Sequence, residues 1–349
     1  MTAHQFIIKA EATAKEALDK INKEALPSIS LFVYDPADKI TGALTEGDIR
    51  RGLLDGKALS EPVTEFMNRT FRYFEKTGNN YKKLKEFKAL NIKYIPVLDH
   101  EMKLISVQNI DEIHSNIPAT ALLMAGGLGE RLRPLTAETP KPLLKVGDKT
   151  IIDYNILGLQ KHGINDFFVS LRYKAEMIRD HLNQLINEPS SVKFIHETDP
   201  RGTAGALSEL KDIQTEYVIL MNSDLLTNID FSVLYEKLMS SNADMVMATI
   251  PYNIDVPYAI VEIDNEDKIL ALTEKPRYTY YANAGIYFMK KEVIGHVPKH
   301  GKYDATDLTE ALISKGLKVV SQPILGYWLD IGRHEDYAKA QNDIKYLQF

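Results

Sequence analysis

At 349 residues the chain is too long for one ordinary core, and at about 100–200 residues per domain it should hold two. Its 44% hydrophobic and 26% charged residues are those of a soluble globular protein; its net charge of -6 excludes the basic face that non-specific nucleic-acid binding needs, and the lack of cysteine excludes disulfides and thiol chemistry. No uncharged run approaches the ~20 residues of a membrane span and no basic segment leads into an apolar one at the N-terminus, so neither membrane nor nucleic acid is an expected partner and a cytoplasmic location is expected.

Residues 1–117 form a first unit. Apolar segments predict strands at Ile29–Val33, Ile92–Leu98 and Leu104–Val107, and helical spacing predicts helices over Thr13–Ala25 and Tyr81–Leu90. The two halves echo one another: a helix, an apolar strand ending in Asp35 or Asp99, a turn, then Ile40–Arg50 or Leu104–Ile110. Such a repeat predicts two similar modules packed together. In the first module Thr45 and Asp48 stand three apart at a helix start. A hydroxyl and a carboxylate so spaced suit a ribose diol, and equally a helix cap with an acid in the first turn. In the second module Ser106 and Asn109 take those places, without the carboxylate.

Pro118 places the boundary to a second unit, residues 118–349. Strand-like and helix-like segments then alternate: Ala119–Met124, a helix from Ile152 to His162, Asp166–Leu171, a helix through Lys174–Leu185, and Val192–His196. A helix opening at Gly202–Leu210, a strand Tyr217–Met221, a helix from Val233 to Leu238 and a strand Met245–Thr249 follow. This order predicts an α/β fold with a mainly parallel sheet, helices on both faces and ligands at the carboxyl ends of the strands.

The first strand of that sheet runs into Ala125-Gly126-Gly127-Leu128-Gly129-Glu130-Arg131, with Pro140-Lys141-Pro142 shortly after. Glycines let backbone N–H groups press against a bound group, and Arg131, Arg133, Lys141 and Lys145 bring positive charge behind them; phosphate is the ligand this suits. The spacing excludes two better-known phosphate loops. Gly129 is followed by Glu130-Arg131 rather than Lys-Ser/Thr, and Leu132 stands where a dinucleotide fingerprint has its third glycine. Asp224, in Asn222-Ser223-Asp224, and Asp330, in Leu329-Asp330-Ile331-Gly332, suit a hard cation such as Mg²⁺, although Asn-Ser-Asp after a strand is also ordinary turn chemistry. Gly202-Thr203-Ala204-Gly205 is a second small-residue turn, adequately explained by Thr203 as a helix cap. Trp328 and the Tyr278–Tyr281 cluster suit stacking on a sugar or base, and equally core packing or plain surface placement. The histidines show no metal spacing.

From Gly126 to Leu144 the chain resembles the signature of the sugar-1-phosphate nucleotidyltransferases, Gly-Gly-x-Gly-x-Arg-Leu-x-Pro-Leu-Thr followed by Pro-Lys-Pro-Leu. The resemblance implies a Rossmann-like, GT-A-like catalytic domain that binds a nucleoside triphosphate and a sugar 1-phosphate. It implies nucleotide binding by Ala125, Gly126, Gly127 and Gly129, with Gly202, Thr203 and Gly205 against the nucleoside. Arg131 is implied on the leaving pyrophosphate and Lys141 toward the α-phosphate, as the catalytic cations. Glu274, Lys275 and Asn283 are implied on the sugar phosphate and hydroxyls, and Asp224 with Asp330 on Mg²⁺. Arg201 departs from the family's usual leucine before Gly202 and puts the base or ribose contacts in question.

The N-terminal repeat resembles a tandem pair of CBS modules, in which Thr45 and Asp48 match a Thr-x-x-Asp that contacts ribose. That implies AMP or ATP near these two residues and a homo-oligomer, a dimer first of all. A smaller α/β CBS pair ahead of a short nucleotidyltransferase, with no β-helix extension, resembles the guanylyltransferases that make GDP-glucosamine for legionaminic acid synthesis. This implies GTP and glucosamine 1-phosphate, with UTP or dTTP as alternatives. A catalytically silent sugar-nucleotide or adenylate sensor is the rival from another class; it would be expected to lose some of Arg131, Lys141, Lys275, Asp224 and Asp330, all of which are present.

Overall fold

The computed structural model describes residues 3–24, 30–76, 80–113 and 115–347; the predicted helix end at Ala25 and strand start at Ile29 lie outside them. The N-terminal part runs β1 (Ile7–Lys9), α1 (Ala14–Glu24), β2 (Leu31–Tyr34), β3 (Ile40–Leu44), α2 (Glu46–Leu54), β4 (Phe74–Glu75), α3 (Tyr81–Ala89), β5 (Tyr94–Leu98) and β6 (Leu104–Asn109). Its two three-stranded sheets, β1-β2-β3 and β4-β5-β6, share one plan: the first pair parallel, the second antiparallel. Even the turns repeat. Asp35 Oδ1 accepts from the N–H groups of Ala37 and Lys39 at 2.9 and 3.0 Å, and Asp99 Oδ1 from those of Glu101 and Lys103 at 2.9 and 2.8 Å. The Lys103 N–H above all holds the Asp99 carboxyl below the usual range. Each half buries its own apolar cluster, and Phe6, Phe32, Ile40, Tyr94 and Leu98 form a third cluster shared by both.

The strand register corrects the predicted correspondence of the two modules. Tyr34 pairs with Ile40 as Leu98 pairs with Leu104, which carries Thr45 onto Asn109 and Asp48 onto Glu112. The second module therefore keeps a carboxylate, and Asn109 Nδ2 donates to Glu112 Oε1 at 2.8 Å. In the first module Thr45 Oγ1 accepts from the Asp48 N–H at 3.2 Å, while Asp48 Oδ2 accepts from the Thr45 N–H at 2.8 Å and from its hydroxyl at 2.6 Å. Asp48 Oδ1 takes Arg51. This is a capping box with the α2 dipole behind it, the geometry expected of Thr45 and Asp48 as a helix cap.

The C-terminal part continues with β7 (Ala119–Met124), α4 (Leu135–Glu138), β8 (Lys145–Val146), β9 (Lys149–Thr150), α5 (Ile151–Lys161), β10 (Asp166–Leu171), α6 (Ala175–Leu185), β11 (Ser191–His196), β12 (Tyr217–Asn222) and β13 (Leu225–Thr227). Then come α7 (Phe231–Ser241), β14 (Met245–Asp255), β15 (Ile260–Ile263), β16 (Ile269–Thr273), β17 (Arg277–Lys290), α8 (Ala305–Ser314), β18 (Val319–Pro323), β19 (Trp328–Asp330) and α9 (His334–Asp343). Seven strands form the main sheet in the order β11-β10-β7-β12-β17-β14-β18, and only β17 runs against the others. Alternate residues of β7 serve opposite faces: Ala121 and Leu123 pack with α5, α6 and α7, Leu122 with α8. The chain leaves β7 toward β10 on one side and later returns to its other side as β12. This switch of direction opens a crevice at the carboxyl ends of β7 and β12.

Two elements differ from prediction. The helix expected from Gly202 is a single 3₁₀ run, Gly205–Glu209, because the Thr203 hydroxyl accepts from the N–H of Ala305 at 2.8 Å and caps α8 instead of its own segment. The strand expected to stop at Thr249 continues to Asp255 because β17 pairs with it residue by residue beyond the sheet.

Just before β14, Asp244 ties three strands together. Its Oδ1 accepts from Lys290 Nζ and its Oδ2 from the Lys318 N–H, both at 2.9 Å. The Lys318 N–H is the main cause that lowers its pKa. A carboxyl lowered in the folded state contributes fully above its unfolded pKa, near 3.9, and loses that contribution as pH falls through the folded value. Asp244→Asn should therefore cost about 1–2 kcal/mol at pH 7. In urea unfolding the gap between variant and wild type should close below pH 4, and a gap independent of pH would contradict it.

Candidate active site

The crevice is built by three segments. From β7, the loop Ala125–Gly129 starts with the Ala125 N–H donating to Ser170 O on β10 at 2.9 Å. Gly129 has φ +63°, where a side chain is strained, and a Cβ there would stand 3.0 Å from Thr136 and 3.3 Å from Lys141. The loop is held in that turn by the Thr136 hydroxyl, which donates to Gly129 O at 2.8 Å. From the turn Lys141–Leu143, fixed by Pro140 and Pro142, Lys141 enters the crevice and is only 8% exposed. From the end of β12 comes Asp224.

The C-terminal segment closes the arrangement. β13 pairs antiparallel with β19, setting Leu225 opposite Asp330, and the Ile331 N–H donates to Asp224 O at 3.2 Å. The two carboxylates thereby meet across Lys141: its Nζ donates to Asp224 Oδ2 at 2.5 Å and lies 3.8 Å from Asp330 Oδ1. The Arg131 guanidinium lies beside Gly332, within 3.7 Å of where a Cβ would stand there. Desolvation first, and the charge of Asp224 second, raise the Asp330 carboxyl above its usual pKa; Lys141 and Arg131 oppose them.

A hard cation fits this pair. Asp224 Oδ1 is buried without a hydrogen-bond partner, an orphaned acceptor of the kind a metal satisfies. Among the described residues no group of three or more His, Cys, Asp or Glu is placed to hold a metal, so two carboxylates are what the chain offers. Magnesium accepts that number when phosphate oxygens and water supply the rest.

Next to Asp330 lies a cavity of about 310 Å³ lined by Thr203, Asn283, Asp304, Tyr287 and Trp328. Asn283 donates through Nδ2 to the Tyr287 hydroxyl and accepts at Oδ1 from the Gly285 N–H at 2.9 Å. Trp328 is anchored by its Nε1–H to Ala284 O at 2.9 Å, which leaves its ring as a wall. The Gly202–Gly205 turn docks on α8: the Thr203 N–H donates to Asp304 Oδ1 at 3.0 Å, and the Ala204 and Gly205 N–H groups donate to Tyr303 O at 3.0 Å. Arg201 braces the same turn through Ser208 Oγ at 3.0 Å and Lys299 O at 2.5 Å, and pairs with Glu209. That is its structural occupation, and it accounts for arginine at the position.

The predicted residues thus divide. Arg131, Lys141, Asp224 and Asp330 converge, with Gly129 against Lys141, and Thr203 and Asn283 line the adjoining cavity with Asp330, whereas Gly126 lies nearest Arg172 and Glu197. Glu274 and Lys275 do not line the cavity; they sit exposed in the turn between β16 and β17, Lys275 with φ +42°. One contributor has no motif: Asn155 on α5, 3% exposed, donates through Nδ2 to Ser223 O at 3.2 Å and so steadies the turn that presents Asp224. A polar residue inside the apolar stripe Ile151–Leu159 is the signal that could have found it. A larger cavity, about 780 Å³ and lined by Asn155, His162 and Phe231, contains none of the predicted site residues. Charge convergence, not size, marks the site.

Known proteins resemble the chain. The chain is 29% identical over 231 residues to the D-glycero-alpha-D-manno-heptose 1-phosphate guanylyltransferase of Aneurinibacillus thermoaerophilus, covering 65% of this chain and 98% of that one. It is 26% identical to the UTP–glucose-1-phosphate uridylyltransferase of Synechocystis sp., covering 63% and 62%. The chain thus spans less than two thirds of the length of several curated relatives. A sucrose-bound structure from Bacillus anthracis, 22% identical, has the same fold over 66% of this chain and 97% of its own, with a TM-score of 0.52. The CBS domain family matches residues 1–55. The nucleotidyl transferase family matches residues 120–346, the whole stretch from β7 to the C-terminal helix, and the chain belongs to that family.

Proposed function

We propose that the chain transfers a nucleoside monophosphate from a nucleoside triphosphate to a hexose 1-phosphate, with GTP and glucosamine 1-phosphate as the favoured pair and Mg²⁺ as cofactor. The observation that carries this reading is Lys141 between Asp224 and Asp330 at the mouth of the Gly126–Arg131 loop. A phosphate oxygen of the sugar 1-phosphate attacks the α-phosphorus; an oxygen–phosphorus bond forms, the bond to the β-phosphate bridge breaks, and pyrophosphate leaves. The nucleophile is already anionic near neutral pH, so the chemistry asks for alignment and charge stabilisation rather than a general base.

Each residue then has a task. The Gly126–Gly129 backbone cradles the triphosphate, Arg131 faces the leaving pyrophosphate, and Lys141 moves from its carboxylate partners toward the α-phosphate. Asp224 and Asp330 would hold Mg²⁺, which when bound neutralises phosphate charge. The cavity walled by Thr203, Asn283 and Trp328 receives the uncharged parts of the substrates. Guanylyltransferase and uridylyltransferase both occur among the names of the relatives, and the preference for GTP follows from the resemblance of the whole domain combination.

Pyrophosphate release measured across GTP, UTP, dTTP, ATP and CTP, against glucosamine, glucose, mannose and heptose 1-phosphates, tests it. GTP with glucosamine 1-phosphate should turn over fastest and need magnesium. Turnover with another pair alone would keep the reaction and replace the substrates, while no release from any pair would leave a silent binding protein.

A further inference from the structure

Residues 251–283 carry four strand segments and yet not one of these residues is buried. β14 and β17 run out of the main sheet as a two-stranded ribbon, from Ile250–Ala282 to Asp255–Arg277, and β15 with β16 forms a second ribbon beyond it. Such a run should be polar if it stood in water. Instead eleven large apolar side chains are exposed along it, from Tyr278 at 41% to Tyr258 at 75%. Isolated two-stranded ribbons are marginal in water, and exposed apolar patches of this size mark interaction surfaces.

We infer that this arm is the contact surface between two copies of the chain. Area supports that occupant: the eleven side chains expose on the order of 1,000 Å², against about 800 Å² per partner in a stable interface, so two arms cover each other with the surface they have. Edges support it as well. Among the described residues β15 and β16 pair only with each other, and an open strand edge meets its own copy antiparallel across a two-fold axis. Charge is arranged as at an interface rim: Asp264, Glu266 and Asp267 gather at the β15–β16 turn, while Val261, Ile263, Ile269, Leu270 and Leu272 occupy the strands. The acidic tip opposes an anionic membrane. This surface is distinct from the CBS pair, and the inference does not depend on which reaction the crevice performs.

The test uses the full chain, wild type and the double variant Leu270→Glu/Leu272→Glu, in sedimentation velocity from nanomolar to tens of micromolar protein. Both side chains are exposed in the single copy, so the variant's secondary structure by circular dichroism should match wild type. Wild type should dimerise, and the variant should weaken association at least a hundredfold. Hydrogen exchange gives a second readout: amides of 260–273 should be protected in the wild-type dimer and exchange rapidly in the variant. A wild type that stays monomeric throughout, or a variant that dimerises as wild type does, overturns the inference.

Discussion

Asp224→Asn should lower turnover by a factor of about 10²–10³ while leaving the fold intact. The substitution keeps size and shape but removes the negative charge, and by turning one carboxylate oxygen into an NH2 donor it leaves a single acceptor for the two positions that face Lys141 Nζ at 2.5 Å and the buried, unpartnered site of Oδ1. Lys141 retains Asp330 at 3.8 Å, so the buried ammonium is not left alone and thermal unfolding should move little. Under the proposed reaction the variant should also need more magnesium to reach its reduced maximum, since one of two carboxylates is gone. Wild-type turnover at ordinary magnesium would remove Asp224 from the mechanism. An equal loss for Asp224→Asn and Lys141→Met, with no further loss in the double variant, would mean that the two act as one unit.

Gly202→Ala should destabilise the protein by about 2–4 kcal/mol. The backbone there has φ +75°, and a Cβ would stand 2.6 Å from both Tyr303 O and Asp304 Oδ1. Tyr303 O is backbone and cannot swing aside, so the turn must lift away from the start of α8 and carry Thr203 out of the cavity. Chemical unfolding measures the first effect; a rise in KM for the triphosphate measures the second. Gly158→Ala is the matched control, because a Cβ on that α5 glycine meets nothing within 4 Å and should gain about 0.5–1 kcal/mol from helix propensity. Equal effects at the two glycines would contradict the local account.

The sheet was legible in the sequence wherever an apolar run had to be buried on both sides. Ala119–Met124 and Asp166–Leu171 match their predicted limits because inner strands of a parallel sheet, covered on both faces, read as near-continuous apolar runs, here interrupted only by Thr120, Ser170 and the leading Asp166. Polar partnerships between distant segments were not legible. That Thr203 caps α8 depends on Ala305 lying beside it, which no local pattern encodes. The same holds for Asn109 and Glu112: their kinship with Thr45 and Asp48 rests on strand register, whereas reading the second module by matching residue types slid it by three positions. The converging cations and carboxylates were readable through their motifs, since glycine, proline and charge at fixed spacing are constraints on one backbone. The exposed position of Glu274 and Lys275 was not, because it follows from how far β14 and β17 extend beyond the sheet.

The pairing of β13 with β19 bears on synthesis. Asp224 and Asp330 belong to segments about a hundred residues apart, and they face each other only once Trp328–Asp330 has docked on Leu225–Thr227. A growing chain exposes the glycine loop and Lys141 well before the second carboxylate, which follows Asp224 by about a hundred residues, and closing so long a loop is slow. Lys141 meanwhile has Asp224 to neutralise it. The proposed cation site is thus absent from any copy that stops or is cut before Trp328–Asp330, so a fragment carrying the glycine loop, Lys141 and Asp224 alone lacks the second carboxylate.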